Sequence, residues 1–180
     1  MNYKKIDLTE AYRFFNSGAV VLVSTSEADD TSDITPIAWT CPLDYEPVTK
    51  IIFVLAKEHK STKNILENRL AVFCIPSIEQ LEMVKKTGSI SGHNTNKFKT
   101  FGIASRQANT SSMMLPDDCI AYAEAQIFSI IEEEFIYVFF AEIMDAYAEE
   151  NSFDETYTLH AKTIHHLGKG KFFTPGEMFE

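Results

Sequence analysis

The sequence predicts an α+β fold that is mainly β: a closed antiparallel barrel with short inserted helices. Three observations point there. Runs of β-branched and aromatic residues of strand length recur along the chain, bounded by polar turn residues. Short helical patterns interrupt them without the regular alternation of a doubly wound parallel sheet, and no GxGxxG motif is present. The 180 residues, 45% of them hydrophobic, suffice for one sizeable core. No repeat, low-complexity tract or Gly/Ser/Pro linker marks a boundary, so residues 1–180 are read as a single domain.

A short amphipathic helix is expected over Thr9–Asn16, where Ala11, Phe14 and Phe15 recur at helical spacing, with Gly18 as the left-handed residue that closes it. Ala19–Thr25, Lys50–Ala56 and Ala71–Ile75 read as central strands. The longest β signal is the pair Ile120–Ile131 and Phe135–Ala148 around Glu132-Glu133-Glu134. In its second member Phe135, Tyr137, Phe139, Ala141 and Ile143 alternate with Ile136, Val138, Phe140, Glu142 and Met144, the pattern of a long hairpin with one partly polar face. Helices are expected at Ser61–Asn68, Ser77–Lys86 and about Thr95–Phe101. Ser77 and Gln80 form an S-x-x-Q capping box for the second of these, and Gly88 supplies its stop. Ile34–Cys41 (ITPIAWTC) reads as one further strand carrying the sole tryptophan.

Sixteen Lys and Arg against 26 Asp and Glu give a formal net charge of −10. Such a field repels polyanions and argues against nucleic acid or an anionic membrane as partner, so a phosphate-bearing ligand requires a local basic cluster. No apolar run approaches the roughly 18–20 residues of a membrane span. MNYKKIDLTEAY carries charges where a signal peptide has its apolar core, and the expected location is the cytoplasm. Cys41, Cys74 and Cys119 are odd in number, far apart and in no CxxC arrangement. They are read as reduced, Cys74 and Cys119 buried in strands, with no disulfide framework and no all-cysteine zinc cluster.

Lys57–Lys63 (KEHKSTK) is the local basic cluster: it follows a strand and opens a helix, so N–H groups, the Ser61 and Thr62 hydroxyls and flanking lysines suit a phosphate. The plainer alternative is that Ser61 caps a surface helix beside solvated lysines. Ser89–Lys97 (SISGHNTNK) is a polar loop suited to closing over a planar ligand, or an ordinary connector. His165–Thr174 (HHLGKGKFFT) suits an anionic or aromatic ligand, or a docking segment. His165 and His166 have no carboxylate or cysteine at ligand spacing beside them, so no metal site is expected. GxSxG, HExxH and Walker sequences are absent, leaving hydrolytic chemistry without support.

Taken in order, Gly18–Thr25, Thr35–Leu43 (TPIAWTCPL), His59-Lys60-Ser61-Thr62, Ile75-Pro76-Ser77, Gly88–Gly92 (GSISG), Asn96-Lys97-Phe98 and His166–Phe172 (HLGKGKF) resemble the flavin reductase-like and flavoredoxin family. The resemblance implies an FMN-binding split β-barrel, a Greek-key antiparallel barrel, with noncovalent FMN near a homodimer interface. It implies that Ala38, Trp39, Thr40 and Cys41 run beside the flavin ring and that His59, Lys60, Ser61 and Thr62 lie near the ribityl phosphate. Ser91, Gly92 and Lys97 would come from the loop, with Lys97 stabilising the pyrimidine end of reduced flavin, and His166 and Phe172 would complete the site. The chain departs from the family pattern at Asp33, where NxMTIAWT has asparagine. It departs again at His93, Asn94 and Asn96 within SGRDxDKF, and at Lys169 and Lys171 within HLGGGRF.

The implied activity is that of an NAD(P)H:flavin reductase, in which a nicotinamide delivers hydride to flavin N5 and electrons pass on to a flavin, an iron species or a protein such as a monooxygenase component. No side chain need act as catalytic nucleophile or base there. A flavoredoxin-like carrier reduced by a protein partner is the alternative reading. A split barrel without flavin that serves as an interaction module is a third.

Overall fold

The computed structural model describes residues 7–15, 18–27 and 31–177. In chain order the strands are β1 (Val21–Ser26), β2 (Ser32–Ile37), β3 (Thr40–Asp44), β4 (Lys50–Ala56), β5 (Leu70–Ile75), β6 (Ser105–Gln107), β7 (Met114–Pro116), β8 (Ala121–Glu132), β9 (Ile136–Ala148), β10 (Phe153–Asp154), β11 (Thr156–Tyr157), β12 (His165–Gly168) and β13 (Lys171–Phe173). The helices are α1 (Lys60–Asn68), α2 (Leu81–Ser89) and α3 (Lys97–Phe101). None is long and apolar enough to cross a membrane.

Seven strands form one antiparallel sheet in the order β2-β1-β5-β8-β9-β4-β3. Its two outermost members are consecutive in sequence and separated by only Ala38 and Trp39. A link that short spans no more than about 10 Å, so the sheet must curl until its edges approach one another. The result is a barrel with a seam between β2 and β3, which share no ladder. Ile37 at the end of β2 pairs with Val21, and Thr40 at the start of β3 pairs with Phe53.

The β-branched and aromatic residues that predict the strands fill the interior. Phe53 and Phe139 stack with centroids 5.0 Å apart, Phe73 meets Phe53 edge-on at 4.9 Å, and Val21, Val23, Leu55, Ala125 and Ile127 close around them. A second cluster, with Leu22, Ile34, Val72, Leu115 and Ile164, packs on the outer face of β1, β2 and β5 beneath α2. Strands β1 and β2 are thus buried on both faces, which is why β1 reads as a continuous apolar run.

The first helix is a 3-10 helix over Leu8–Phe15; Asn16 lies outside the described residues, and Phe14 is 67% exposed rather than buried. Gly18 is not left-handed. A Cβ there would stand 3.3 Å from the Ala38 carbonyl, so its smallness serves the close approach of the chain to the seam. Gly88 does not stop α2, which continues to Ser89; it lets the helix approach Pro36, whose Cγ a Cβ would meet at 3.0 Å. The capping contact at Ser77 is present, its N–H donating to Gln80 Oε1 at 3.1 Å. ITPIAWTC is two strands and a crossing rather than one strand. Cys74 is buried in β5 as expected, whereas Cys119 is half-buried and precedes β8 instead of lying in it. Phe53→Ala removes the ring on which both Phe73 and Phe139 pack, and is expected to lower the unfolding free energy by about 3–5 kcal/mol in urea titrations.

Candidate functional site

One face of α1 closes the barrel mouth. Ser61, Asn64 and Ile65 stand at i, i+3 and i+4 on that face, and all three are buried. Ile65 joins the interior core, while Ser61 and Asn64 meet a polar row on β1 and β2. Asn64 Nδ2 donates to Thr25 Oγ1 at 3.1 Å, Ser61 Oγ donates to Asp33 Oδ2 at 3.1 Å, and Thr35 Oγ1 lies 2.6 Å from Ser61 Oγ. Thr25 and Asp33 are cross-strand partners, so the register brings these groups together.

Asp33 is 4% exposed. Its Oδ2 also accepts from Thr35 Oγ1 at 3.3 Å, while Oδ1 accepts no hydrogen bond and has Lys97 Nζ at 3.4 Å. Lys97, 3% exposed, donates to the Ile34 carbonyl at 2.7 Å. Burial holds its pKa below the ordinary lysine value, against the opposing pull of Asp33. Gly92 packs on the same carboxylate: a Cβ there would lie 2.2 Å from Oδ1, so the loop can sit this close only with glycine.

Over this floor lies a hollow of about 310 Å³ walled by His59, Lys60, Ser89, Ser91, Gly92 and Lys97 among others. Two further hollows adjoin it. One, of about 320 Å³, shares Pro36 and His59 and is lined by Ala38, Trp39, Val54 and Ile136. The other, of about 420 Å³, shares Pro36 and Gly88 and is lined by Ile37, Ala38 and Phe172. His166 borders both apolar hollows, its ring 4.9 Å from that of Phe172. The whole is a trench along β2, polar at the α1 end and apolar where it reaches the seam.

His59 stands at the junction of the polar and apolar parts. Its Nδ1 is buried without a hydrogen-bond partner, and burial, partly offset by Glu58, holds its pKa below the ordinary 6.5. The ring is therefore neutral at pH 7. Burial likewise lowers the His166 pKa. The loop over the polar end is fastened by His93, whose Nε2 lies 3.1 Å from the Glu58 carbonyl oxygen.

Of the residues expected at the site, Ala38, Trp39, His59, Lys60, Ser91, Gly92, Lys97, His166 and Phe172 line the trench. Thr40 and Cys41 do not: β3 carries them into a separate apolar cavity of about 550 Å³, also lined by Tyr122, Tyr147, Phe153 and Tyr157, which shares no residue with the trench. The reason is the crossing at Ala38–Trp39, which sends the two halves of the motif to different edges of the sheet. The Ser61 and Thr62 hydroxyls face inward rather than outward, Thr62 Oγ1 donating to the Ala56 carbonyl at 2.7 Å. Ser61 is not the N-cap either; His59 is, with extended backbone and no side-chain cap. The Lys97 ammonium is turned into the floor, not forward over a ring. Pro36, Gly88 and Ser89 are trench residues that sequence reasoning did not single out as contacts; their nearness follows from α2 crossing β2. Among the described residues no group of three His, Cys, Asp or Glu could hold a metal ion.

Residues 13–168 match the flavin reductase-like domain. The chain belongs to that family. It is 27% identical over 179 residues to the uncharacterized protein YddH of Escherichia coli (strain K12), covering 96% of this chain and 94% of YddH. Among solved structures it is similar to the FMN-binding domain of a flavin reductases-like enzyme from Shewanella baltica OS155, at 25% identity and TM-score 0.79, covering 99% of this chain and 97% of that one. The flavoredoxin of Desulfovibrio vulgaris (Miyazaki F) has the same fold, with TM-score 0.86 at 21% identity over 100% of this chain and 96% of its own. The fold is that of the split barrels.

Two measurements follow from the buried charges. Lys97→Met leaves the Asp33 carboxylate buried without a counter-charge and is expected to cost about 3–5 kcal/mol in urea titrations. Folded His59 binds a proton only below the pH at which the unfolded chain does, so the unfolded state holds more protons just under pH 6.5 and stability falls as the pH drops through that value. His59→Gln is expected to show a smaller loss of stability between about pH 7.5 and about pH 5.5 than the native protein.

Proposed function

We propose that this chain is an FMN-dependent oxidoreductase of the NAD(P)H:flavin reductase type, with FMN lying along the trench. The observation that carries the reading is the continuity of a polar hollow at the N-terminus of α1 with an apolar one at the seam, the division that a ribityl phosphate and a flat ring require. Family membership and the FMN-binding Shewanella baltica domain support it. The buried, unpartnered Nδ1 of His59 fits the same group, since it lies where the polar tail would join the ring.

FMN supplies the hydride-accepting chemistry when bound, and the chain's own residues have simpler tasks. The N–H groups of the first turn of α1 would hold the phosphate, beside Lys60, which is paired with Glu27. Ser89 and Ser91 would meet the ribityl hydroxyls. Ala38, Val54, Ile136 and Phe172 would exclude water from the ring, and Trp39, 49% exposed, would stand at its open side. Neutral His59 and His166 would add hydrogen-bonding capacity without charge. Lys97 acts from beneath, holding the floor.

A homodimer is part of this reading, supported by the exposed stretch Cys41–Asp44 on edge strand β3 and the apolar cavity beside it. Sedimentation at micromolar concentration is expected to give twice the monomer mass. In the carrier reading, the loop that His93 fastens over the polar end would hold the flavin, and a protein partner would reduce it.

The visible spectrum of the purified protein, loaded with FMN if colourless, tests the proposal. The expected result is a bound flavin whose absorbance bleaches within seconds of anaerobic mixing with NADH or NADPH. Bound flavin that stays oxidised for minutes supports the carrier, and failure to bind FMN at micromolar concentration overturns both.

A further inference from the structure

Resting on the flavin reading above, we propose that Asp33 makes this site nearly indifferent to the flavin's phosphate, so that the chain takes riboflavin about as well as FMN. The basic cluster that the sequence places at the head of α1, and the loop lysine Lys97 beside it, are neutralised throughout. Lys57 pairs with Glu132 at 2.6 Å, Lys60 with Glu27 at 2.6 Å, Lys63 with Glu67 at 3.9 Å, and Lys97 with Asp33 at 3.4 Å. His59 carries no charge at pH 7, and Glu58 adds a further carboxylate to the wall. The charged groups around the polar hollow therefore sum to no net positive charge.

These pairs are not equivalent. Lys63, Glu67 and Glu132 are solvent-exposed and Lys57 is half-exposed, so these ion pairs are screened and easily rearranged. Glu27 is half-exposed. Asp33 alone is fixed: it is buried, held by the Ser61 and Thr35 hydroxyls, and roofed by Gly92. It cannot swing away to free Lys97 for an incoming anion.

The neutral donors are committed as well. The Ser61 hydroxyl donates to Asp33 and that of Thr62 to the Ala56 carbonyl, so neither points into the hollow. A phosphate monoester, mostly dianionic above its second pKa of about 6, would gain the N–H groups of the first helical turn but find Lys97 already held by Asp33, and would meet the Glu58 carboxylate in the wall. The terminal hydroxyl of riboflavin gains less and meets no such opposition. The two contributions offset, and Asp33 is the residue that sets the balance.

Titrating FMN and riboflavin separately into flavin-free protein tests this. The native chain is expected to bind the two with dissociation constants within about threefold of each other. Asp33→Asn keeps a side chain of the same shape over Ser61 and removes one buried negative charge. It is expected to tighten FMN about tenfold while leaving riboflavin within about twofold. Glu27→Gln, which removes a different negative charge and frees Lys60, is expected to move the FMN-to-riboflavin ratio in the same direction, and carries the test if Asp33→Asn does not fold. A native preference for FMN above about 100-fold overturns the proposal, as does an equal shift of both flavins in the variants. Binding of neither flavin by the native chain overturns the flavin reading itself, and this inference with it.

Discussion

The structure depends on one constraint, the two-residue link between β2 and β3. Because Ala38 and Trp39 join the outermost strands of a seven-stranded sheet, the sheet cannot lie open. Curling gives the interior its aromatic core, and the same link leaves a seam where β2 and β3 meet without a ladder. The trench reaches its apolar end at this seam. Fold and site are therefore consequences of the same short crossing, and Gly18, pressed against the Ala38 carbonyl, is there to let it happen.

The second organising feature is the polar plug at the barrel mouth. A helix that places Ser61, Asn64 and Ile65 on one face contributes an apolar residue to the core and two polar ones to a buried network with Thr25, Asp33 and Thr35. Such a network stabilises only if its members are satisfied. Asn64 Oδ1 and Asp33 Oδ1 are the exceptions, and Lys97 and Gly92 are the responses to the second: one supplies the counter-charge, the other the room. Lys97, Gly92 and Ser61 are thereby engaged with the floor of the site before any ligand arrives.

Much of the fold was legible because its signals are local. The alternation of Phe135 to Met144 marked β9, and the β-branched runs marked β1, β4 and β5 almost to the residue. The failures share a cause, in that they needed tertiary information. Gly18 and Gly88 looked like helix stops, a local role, but are small because other backbone or side chains lie against them. ITPIAWTC looked continuous because nothing in its composition says that the chain changes edges at Ala38. That is why Thr40 and Cys41, adjacent in sequence to the trench, line a different cavity. The polarity of HKST was plain, but the direction in which its hydroxyls point depends on Asp33 and Thr35, residues about 26 to 28 positions earlier that register alone brings near. Asp33 itself stood out only against the family pattern; its burial could not be read from the chain.

Trp39 offers the most direct test of the claim that flavin lies across the seam, because it is the only tryptophan and lines the apolar end of the trench. Its emission should fall saturably as FMN is titrated into flavin-free protein, with an end point at one flavin per chain after correction for absorbance. Emission that declines only in proportion to added FMN, with no end point, would contradict a flavin bound beside Trp39.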